Sequence, residues 1–286
     1  MKKSIICIVL FIFASACTDN IEFHNNQSSQ LIVEGWIEDG GFPVVILTRT
    51  LPVFTEYQNV DSIKNYLLRW AKVTISDGRD SVVLTGKYDP GYFPPYIYTS
   101  SRIKGVAGRE YKLSVEYQNY HATAITSIPY SPDYCSFKVE QCNDIDTLYQ
   151  IKAKIQKESS EGYYQFFTRV GTSSKQYYAS YLGSVNSDVI NSDMYFPVYR
   201  GQQLKSDRYT PYFCLHDTIS VKLAHIDEIS YRFWDSYIQT LSLSSNMFLS
   251  TSNNIKSNIK GGNGYWCGYG VFTNNIVIKD SIITQN

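Results

Sequence analysis

Short segments in which apolar and polar residues alternate recur along the chain, and this pattern predicts β-strands. Alternation places one face of a strand in a core and the other face in solvent. It is clearest over residues 149–156, where Tyr, Ile and Ala alternate with Gln and Lys. Residues 73–75 and 82–84 flank an Asp-Gly pair, which favours a hairpin because Gly adopts the positive φ that the turn needs. We therefore predict a mainly β protein.

The turn and proline signals divide the chain into two predicted β domains. Several short strands with turns between them fill residues 31–129, which predicts an immunoglobulin-like or transthyretin-like β-sandwich. Pro129 and Pro132 then mark a boundary. Residues 133–286 are predicted to form a second β-rich domain with one amphipathic helix at about 226–242, because apolar residues recur there at spacings of three and four.

The first 16 residues have the pattern of a signal peptide. Lys2 and Lys3 precede an unbroken apolar run at 5–13, which is too short to span a bilayer, since a span takes about 20 residues. An Ala-Ser-Ala triplet then precedes Cys17. The combination resembles a lipobox, in which the Cys thiol receives diacylglycerol. The alternative is ordinary cleavage at the same bond, which gives a secreted protein that begins with Cys.

Lipidation at Cys17 predicts a lipid-anchored protein, because two or more acyl chains give stable membrane attachment. Residues 17–30 are polar and carry no apolar period, so we predict a flexible tether. We expect attachment to an outer membrane, facing either the periplasm or the cell surface. The acidic Asp19 and Glu22 favour the surface.

The charge balance and the missing motifs exclude several classes of function. The chain has 26 acidic and 26 basic residues, whereas a nucleic-acid partner requires a basic footprint. The sequence contains no C-x-x-C pair, no metalloprotease motif, no nucleophile elbow and no P-loop. We therefore expect no catalytic residues, no cofactor and no metal site.

Four cysteines remain when the signal peptide and the lipid-bearing residue are set aside. An oxidising envelope permits disulfides, and three pairings of four cysteines are possible. The two that are closest in sequence can pair only if the chain turns between them. The candidates for disulfides of unknown pairing are Cys135, Cys142, Cys214 and Cys267.

A glycine-rich segment near the C-terminus is one candidate contact site. Residues 261–270 combine glycines with Tyr265, Trp266 and Tyr269. These rings can form a platform on which a sugar stacks. In the alternative, which we favour, the glycines let two backbones approach closely while the aromatic side chains fill the core.

An aromatic segment in the first half is the other candidate contact site. Residues 88–98 place Tyr92 and Tyr96 among three prolines. Tyr is common in protein interfaces, so this segment can be an exposed contact loop. It can equally be a packed loop, and the sequence leaves this choice open.

Five segments of the chain together carry a family pattern, namely residues 31–37, 45–49, 73–78, 108–115 and 257–265. They resemble the lipoprotein family of Bacteroidota-type bacteria known as domain of unknown function 4249. The likeness covers nearly all of the chain after the predicted tether, and it carries no catalytic residues to transfer. The resemblance implies an outer-membrane lipoprotein encoded beside a TonB-dependent transporter.

The resemblance therefore implies a non-enzymatic accessory of nutrient uptake, which captures a ligand or contacts the transporter. The sequence does not identify that ligand, which can be a small molecule or a glycan. Two alternatives stay open. One is a structural or adhesive surface protein, and the other is a glycan hydrolase that uses paired carboxylates.

Overall fold

The computed structural model describes residues 29–50, 66–142, 147–156, 162–191, 193–201, 210–244 and 255–279. The predicted signal peptide, Cys17 and all but the last two residues of the predicted tether lie outside these ranges. Within them, the chain consists mainly of strands, with one α-helix and one short 3-10 helix.

The described residues form 16 strands, one α-helix and one 3-10 helix. The α-helix α1 is Glu228–Ser244, and the 3-10 helix is Ser187–Val189. The strands are β1 (Leu31–Glu38), β2 (Val44–Arg49), β3 (Lys72–Ser76), β4 (Ser81–Val83), β5 (Thr85–Tyr88), β6 (Tyr96–Thr99), β7 (Glu110–Tyr117), β8 (Tyr120–Ser127), β9 (Cys135–Gln141), β10 (Leu148–Ile155), β11 (Tyr163–Val170), β12 (Tyr178–Asn186), β13 (Phe196–Val198), β14 (Phe213–Cys214), β15 (Thr218–Ile226) and β16 (Asn263–Val277).

Eight strands form one long sheet in the order β12-β11-β15-β16-β1-β2-β6-β5. Its neighbouring strands are antiparallel except for β1 and β16, which pair in parallel from Ile32 opposite Asn263 to Glu38 opposite Tyr269. The predicted boundary between the two domains falls between β8 and β9. Because β16 pairs with β1, the long sheet nevertheless contains strands from both sides of that boundary.

A four-stranded sheet in the order β4-β3-β7-β8 packs on the part of the long sheet that contains β1, β2 and β6. Alternate residues of β1 face this core, including Leu31, Val33 and Ile37, while their neighbours are only partly buried. Their partners across the core include Val73 and Leu113. This alternation buries one face of each strand, and it confirms the predicted N-terminal sandwich.

A second four-stranded sheet packs on the β11, β12 and β15 part of the long sheet. Its central strand is β10, which pairs with β9 on one side and with β13 and β14 on the other. Tyr149, Ile151 and Ile155 of β10 lie in one core with Phe166 and Leu223 of the long sheet. The second β-rich domain is therefore confirmed, and β10 is the strand that the alternation at 149–156 predicts.

The two small sheets lie on one face of the long sheet, and α1 lies on the opposite face. The alternation of side chains along β16 shows this arrangement. Trp266 belongs to the core of the first sandwich and Phe272 packs against the second core, whereas Tyr265, Cys267 and Tyr269 pack with α1. Neighbouring residues of a strand point to opposite faces, so β16 contributes to all three cores.

The helix begins two residues later than the sequence predicts. Ile226 is the last residue of β15, and the carboxylate of Asp227 accepts a hydrogen bond of 2.8 Å from the Ser230 N–H, which is an N-cap contact. Phe233 and Trp234 face the sheet. Among the described residues, no helix is both long and apolar enough to cross a membrane.

Candidate functional site

A pocket of about 210 Å³ lies on the helix side of the long sheet. Three neighbouring strands form its floor, where Glu38 of β1, Lys222 of β15 and Tyr269 of β16 line the space. Eight of its 13 lining residues are aromatic. A concave site with aromatic walls and a few polar groups is the usual form of a small-molecule site.

One wall of the pocket is a cluster of packed aromatic rings below α1. The ring of Trp234 lies 5.2 Å from that of Phe167, edge to face, and 4.9 Å from that of Tyr265. Phe167 also lies 5.3 Å from Tyr269. Edge-to-face and tilted ring pairs are favourable geometries. The rings therefore support one another and hold this wall in place.

The facing wall is formed where two loops from opposite edges of the long sheet meet. One loop follows β5 and the other precedes β12. The Lys175 N–H donates to the Gly91 carbonyl at 2.8 Å, and the Phe93 N–H donates to the Gln176 side-chain oxygen at 2.7 Å. The Lys175 ammonium lies 3.0 Å from the carboxylate of Asp89. These contacts fix the loop residues that line the pocket.

A larger residue at Gly91 would require the Lys175 side chain to shift. A Cβ at Gly91 would lie 2.8 Å from Cγ of Lys175, which is closer than carbon atoms pack. The adjacent Tyr92 lies 6.1 Å from Trp36, ring centroid to ring centroid. The loop after β5 therefore carries a tyrosine over β1 and completes the aromatic lining.

The polar part of the floor is an ion pair between Lys222 and Glu38. The side chain of Lys222 is 8% exposed and that of Glu38 is 23% exposed. The Lys222 ammonium also lies 3.9 Å from the ring centroid of Tyr177, a cation–π contact. Within the described residues, the side chains of Lys222 and Glu38 form hydrogen bonds only with each other. The ammonium therefore keeps further donors, and the carboxylate keeps further acceptor sites.

The charges that surround the pocket are paired with one another. Lys222 pairs with Glu38, and Lys175 pairs with Asp89, which Lys87 also approaches at 3.8 Å. Burial alone would raise the pKa of Asp89, but the hydrogen bonds from Lys175 and from the Gly91 N–H outweigh it and the pKa is lowered. Asp89 is therefore ionised, and the pocket offers charged groups with little net charge.

Glu34 lies beside the pocket, on the same face of β1 as Trp36. Burial raises its pKa from 4.5 to about 7. Burial, and after it the nearby Glu34 carboxylate, raise the pKa of Tyr237 and Tyr265. No cation among the described residues forms a salt bridge with Glu34. This carboxyl group therefore changes its charge near neutral pH.

Three of the five predicted contact residues line the pocket, namely Tyr92, Tyr265 and Tyr269. The other two predictions are corrected by the structure. Trp266 is fully buried in the first sandwich, where its indole N–H donates to the Tyr111 carbonyl at 2.9 Å. Trp266 follows Tyr265 directly in the strand and so points to the other face.

Tyr96 also lies away from the pocket. Its ring is 5.6 Å from that of Tyr98, a residue of the first core. Its hydroxyl donates to the carbonyl of Arg69 at 2.8 Å. The segment around residues 88–98 is thus divided, because Tyr92 contributes to the pocket while Tyr96 packs on the first sandwich.

The glycines of β16 allow two backbones to approach closely, as the favoured interpretation of this segment states. A Cβ at Gly268 would lie 2.3 Å from the Ser127 carbonyl oxygen, and one at Gly270 would lie 2.3 Å from the Pro129 carbonyl oxygen. Both distances are far shorter than any tolerated contact. The glycines are therefore structural, even though Tyr265 and Tyr269 between them line the pocket.

Three of the four cysteines that are candidates for disulfides form none in the structure. Cys135, Cys214 and Cys267 are free thiols in the structure. Cys135 lies in the core of the second sandwich and Cys267 lies under α1, on opposite faces of the long sheet. Burial raises the pKa of both thiols to about 12. Among the described residues, no group of His, Cys, Asp and Glu is placed to hold a metal ion.

Sequence reasoning missed Glu38, Lys222 and Trp36. Glu38 and Lys222 are charged residues in strands, where a charged residue usually indicates solvent exposure, and no pattern marks Trp36 as part of a site. The covering elements, α1 and the two loops, come from distant parts of the chain. No motif in the sequence marks these residues as members of one site.

Comparison with known families gives a match over residues 18–275 to a family described as domain of unknown function (DUF4249). This match covers most of the chain, including β1, β2, α1 and most of β16. No curated protein matches the chain.

Proposed function

The chain belongs to the DUF4249 family, and we propose that it is a non-enzymatic, lipid-anchored outer-membrane protein that captures a small ligand in the pocket between α1 and the long sheet. We propose further that it delivers this ligand to a TonB-dependent transporter. The resemblance of its sequence to lipoproteins encoded beside such transporters supports the second part.

The pocket itself is the observation that carries the proposal. Its aromatic walls are held by ring contacts such as that of Trp234 with Phe167. Its floor holds Lys222 and Glu38, whose hydrogen-bonding capacity is only partly used within the described residues. Burying such groups without a full set of partners costs free energy. A bound polar molecule would supply the missing partners.

The position of the pocket relative to the predicted anchor is consistent with capture. Ser29 and Gln30 are held at the start of β1, where the Tyr120 hydroxyl donates to the Ser29 carbonyl at 2.7 Å and the Gln30 N–H donates to the Thr50 hydroxyl at 2.9 Å. Glu38, at the far end of β1, lines the pocket. A strand of this length spans about 23 Å. A lipid at Cys17 would therefore leave the pocket away from the point where the tether enters.

Binding is better supported than hydrolysis. Glycoside hydrolases use two carboxyl groups about 5–9.5 Å apart across the scissile bond. Among the described residues that line the pocket, Glu38 is the only carboxylate.

The anchor and the partner are tested on the full-length, C-terminally tagged protein expressed in a bacterium that processes lipoproteins. Metabolic labelling with an alkyne fatty acid should label the wild type and leave the Cys17→Ser variant unlabelled. Cross-linking and affinity capture from the envelope should recover a TonB-dependent transporter with the wild type. An unlabelled wild-type chain would overturn the anchor, and capture without any transporter would overturn the delivery step.

A further inference from the structure

The paired charges and the aromatic walls point to one class of ligand. We infer that the pocket binds a neutral saccharide ring, with the hydroxyl groups at the Lys222–Glu38 pair and an apolar face of the ring against the aromatic wall. This inference rests on the proposed ligand-capture function and adds the chemical class of the ligand.

The charge pairing argues for a neutral ligand. An anion at Lys222 would compete with Glu38 for the ammonium, and it would leave a largely buried carboxylate without its cation. Such a loss is costly in a site of low dielectric. A cation at Glu38 would displace Lys222 in the same way. Lys175, the other lysine of the lining, is held by Asp89 at 3.0 Å.

The remaining hydrogen-bonding capacity argues for a ligand with several hydroxyl groups. An ammonium has three donors and an ionised carboxylate accepts several hydrogen bonds. Lys222 and Glu38 use one of these for each other within the described residues. A hydroxyl group both donates and accepts, so neighbouring hydroxyls on one ring can satisfy the ammonium and the carboxylate together. An apolar planar molecule would bury both groups without new partners.

The aromatic walls argue for a ring with an apolar face. Trp36 and Tyr92 lie 6.1 Å apart, ring centroid to ring centroid, and both line the space together with Trp234. Aromatic faces carry a negative quadrupole and attract the weakly positive C–H groups of a sugar ring. Phe42 lines the pocket and is 44% exposed, so it stands where the pocket meets solvent.

The size of the pocket limits the ligand to about one ring. The volume of about 210 Å³ lies below the roughly 300–1,000 Å³ of sites for drug-sized ligands. A longer glycan would therefore place one residue in the pocket and leave the others outside.

The test uses the full-length protein purified in dodecyldimethylamine oxide, a detergent without a sugar headgroup. Isothermal titration calorimetry would measure the affinity for methyl β-glucoside, methyl β-galactoside and N-acetylglucosamine. Glucuronate and glucosamine provide anionic and cationic rings of similar shape, and indole provides an apolar planar probe. The matched variants are Trp36→Ala, which removes a wall of the pocket, and Trp70→Ala, which removes a side chain that is 87% exposed elsewhere.

We expect at least one neutral saccharide to bind more tightly than both charged analogues. Trp36→Ala should weaken this binding about tenfold, and Trp70→Ala should leave it unchanged. Equal or tighter binding of a charged analogue would overturn the inference, as would neutral binding that Trp36→Ala leaves intact. Binding of indole but of no saccharide, with loss in Trp36→Ala, would reject the saccharide and retain the capture site. Failure of every probe would count against both.

Discussion

The ammonium of Lys222 on β15 pairs with the carboxylate of Glu38 on β1, across the intervening strand β16. The two residues are 184 positions apart in sequence. They connect a strand that supports the second sandwich with one that supports the first. The same pair provides the polar floor of the pocket, so the proposed ligand capture would use side chains that also connect the two sandwiches.

Replacing one member of this pair should destabilise the protein. In Lys222→Met the carboxylate of Glu38 would stay partly buried without its cation, and we expect the free energy of unfolding to fall by about 1–3 kcal/mol. Urea denaturation measures this change. Lys112→Met, on the exposed face of β7, is the matched control and should change stability by less than about 0.5 kcal/mol. Adding Glu38→Gln to Lys222→Met should recover part of the loss. Equal stability of Lys222→Met and Lys112→Met would contradict a stabilising ion pair between Lys222 and Glu38.

The close backbone contact at the glycines of β16 leads to a second prediction. In Gly268→Ala the new methyl group would meet the Ser127 carbonyl oxygen at 2.3 Å, so the backbones must separate. We expect a loss of about 1–3 kcal/mol in the free energy of unfolding, measured by urea denaturation. Thr273→Ala, at an exposed position of the same strand, should have little effect. A Gly268→Ala protein as stable as Thr273→Ala would show that the close approach is absent.

The raised pKa of Glu34 leads us to expect that the stability of the protein depends on pH. Because the folded state raises its pKa from 4.5 to about 7, the folded state favours the protonated carboxyl group. Both states are protonated below pH 4.5, so Glu34→Gln should match the wild type at pH 4. As the pH rises from 4.5 to about 7, the unfolded state releases the proton that the folded state keeps, so the wild type loses stability that the variant retains. The difference should reach at most about 3 kcal/mol at pH 8, since one pKa unit corresponds to about 1.4 kcal/mol.

Urea denaturation of the two proteins at pH 4, 6 and 8 tests this dependence. Glu110→Gln, at the exposed first position of β7, is the control and should follow the wild type at all three values. An advantage of Glu34→Gln that is equal at pH 4 and pH 8 would mean that titration of Glu34 does not cause it.

The free thiols should differ in reactivity. The thiolate is the reactive form of cysteine, and Cys135 and Cys267 are buried with pKa values of about 12. Cys214 is exposed. Iodoacetamide at pH 8, followed by peptide mass spectrometry, should label Cys214 in the native protein and label the two buried thiols only in urea. A residue that resists labelling in urea until a reductant is added would reveal a disulfide.

Local pattern predicts much of this fold because a period of two decides which face of a strand is buried. The alternation at Tyr149–Ile155 yields β10, and the helix is predicted within two residues of its bounds. The start of the helix is misplaced because Ile226 continues the alternation of β15 as well as the helical spacing. The pairing of β1 with β16 is not local, and nothing in either segment specifies the other.

The site is less predictable than the fold for the same reason. Aromatic and glycine content indicated Tyr92, Tyr265 and Tyr269, which line the pocket. It also indicated Trp266, because composition does not state on which face a side chain lies. Lys222 occupies a polar position in an alternating strand, which normally indicates solvent exposure. Its burial follows from the covering loops and α1, which only the tertiary structure brings together.

The four tryptophans of the chain provide the most direct test of the pocket. Trp36 and Trp234 line it, Trp266 is buried in the first sandwich and Trp70 is exposed. The measurement is the indole N–H spectrum of ¹⁵N-tryptophan-labelled protein, assigned by single Trp→Phe variants, with methyl β-glucoside added to one sample and indole to another. Ligand capture predicts that the signals of Trp36 and Trp234 shift while those of Trp70 and Trp266 stay in place. Shifts confined to Trp70, or no shift with either probe, would contradict it.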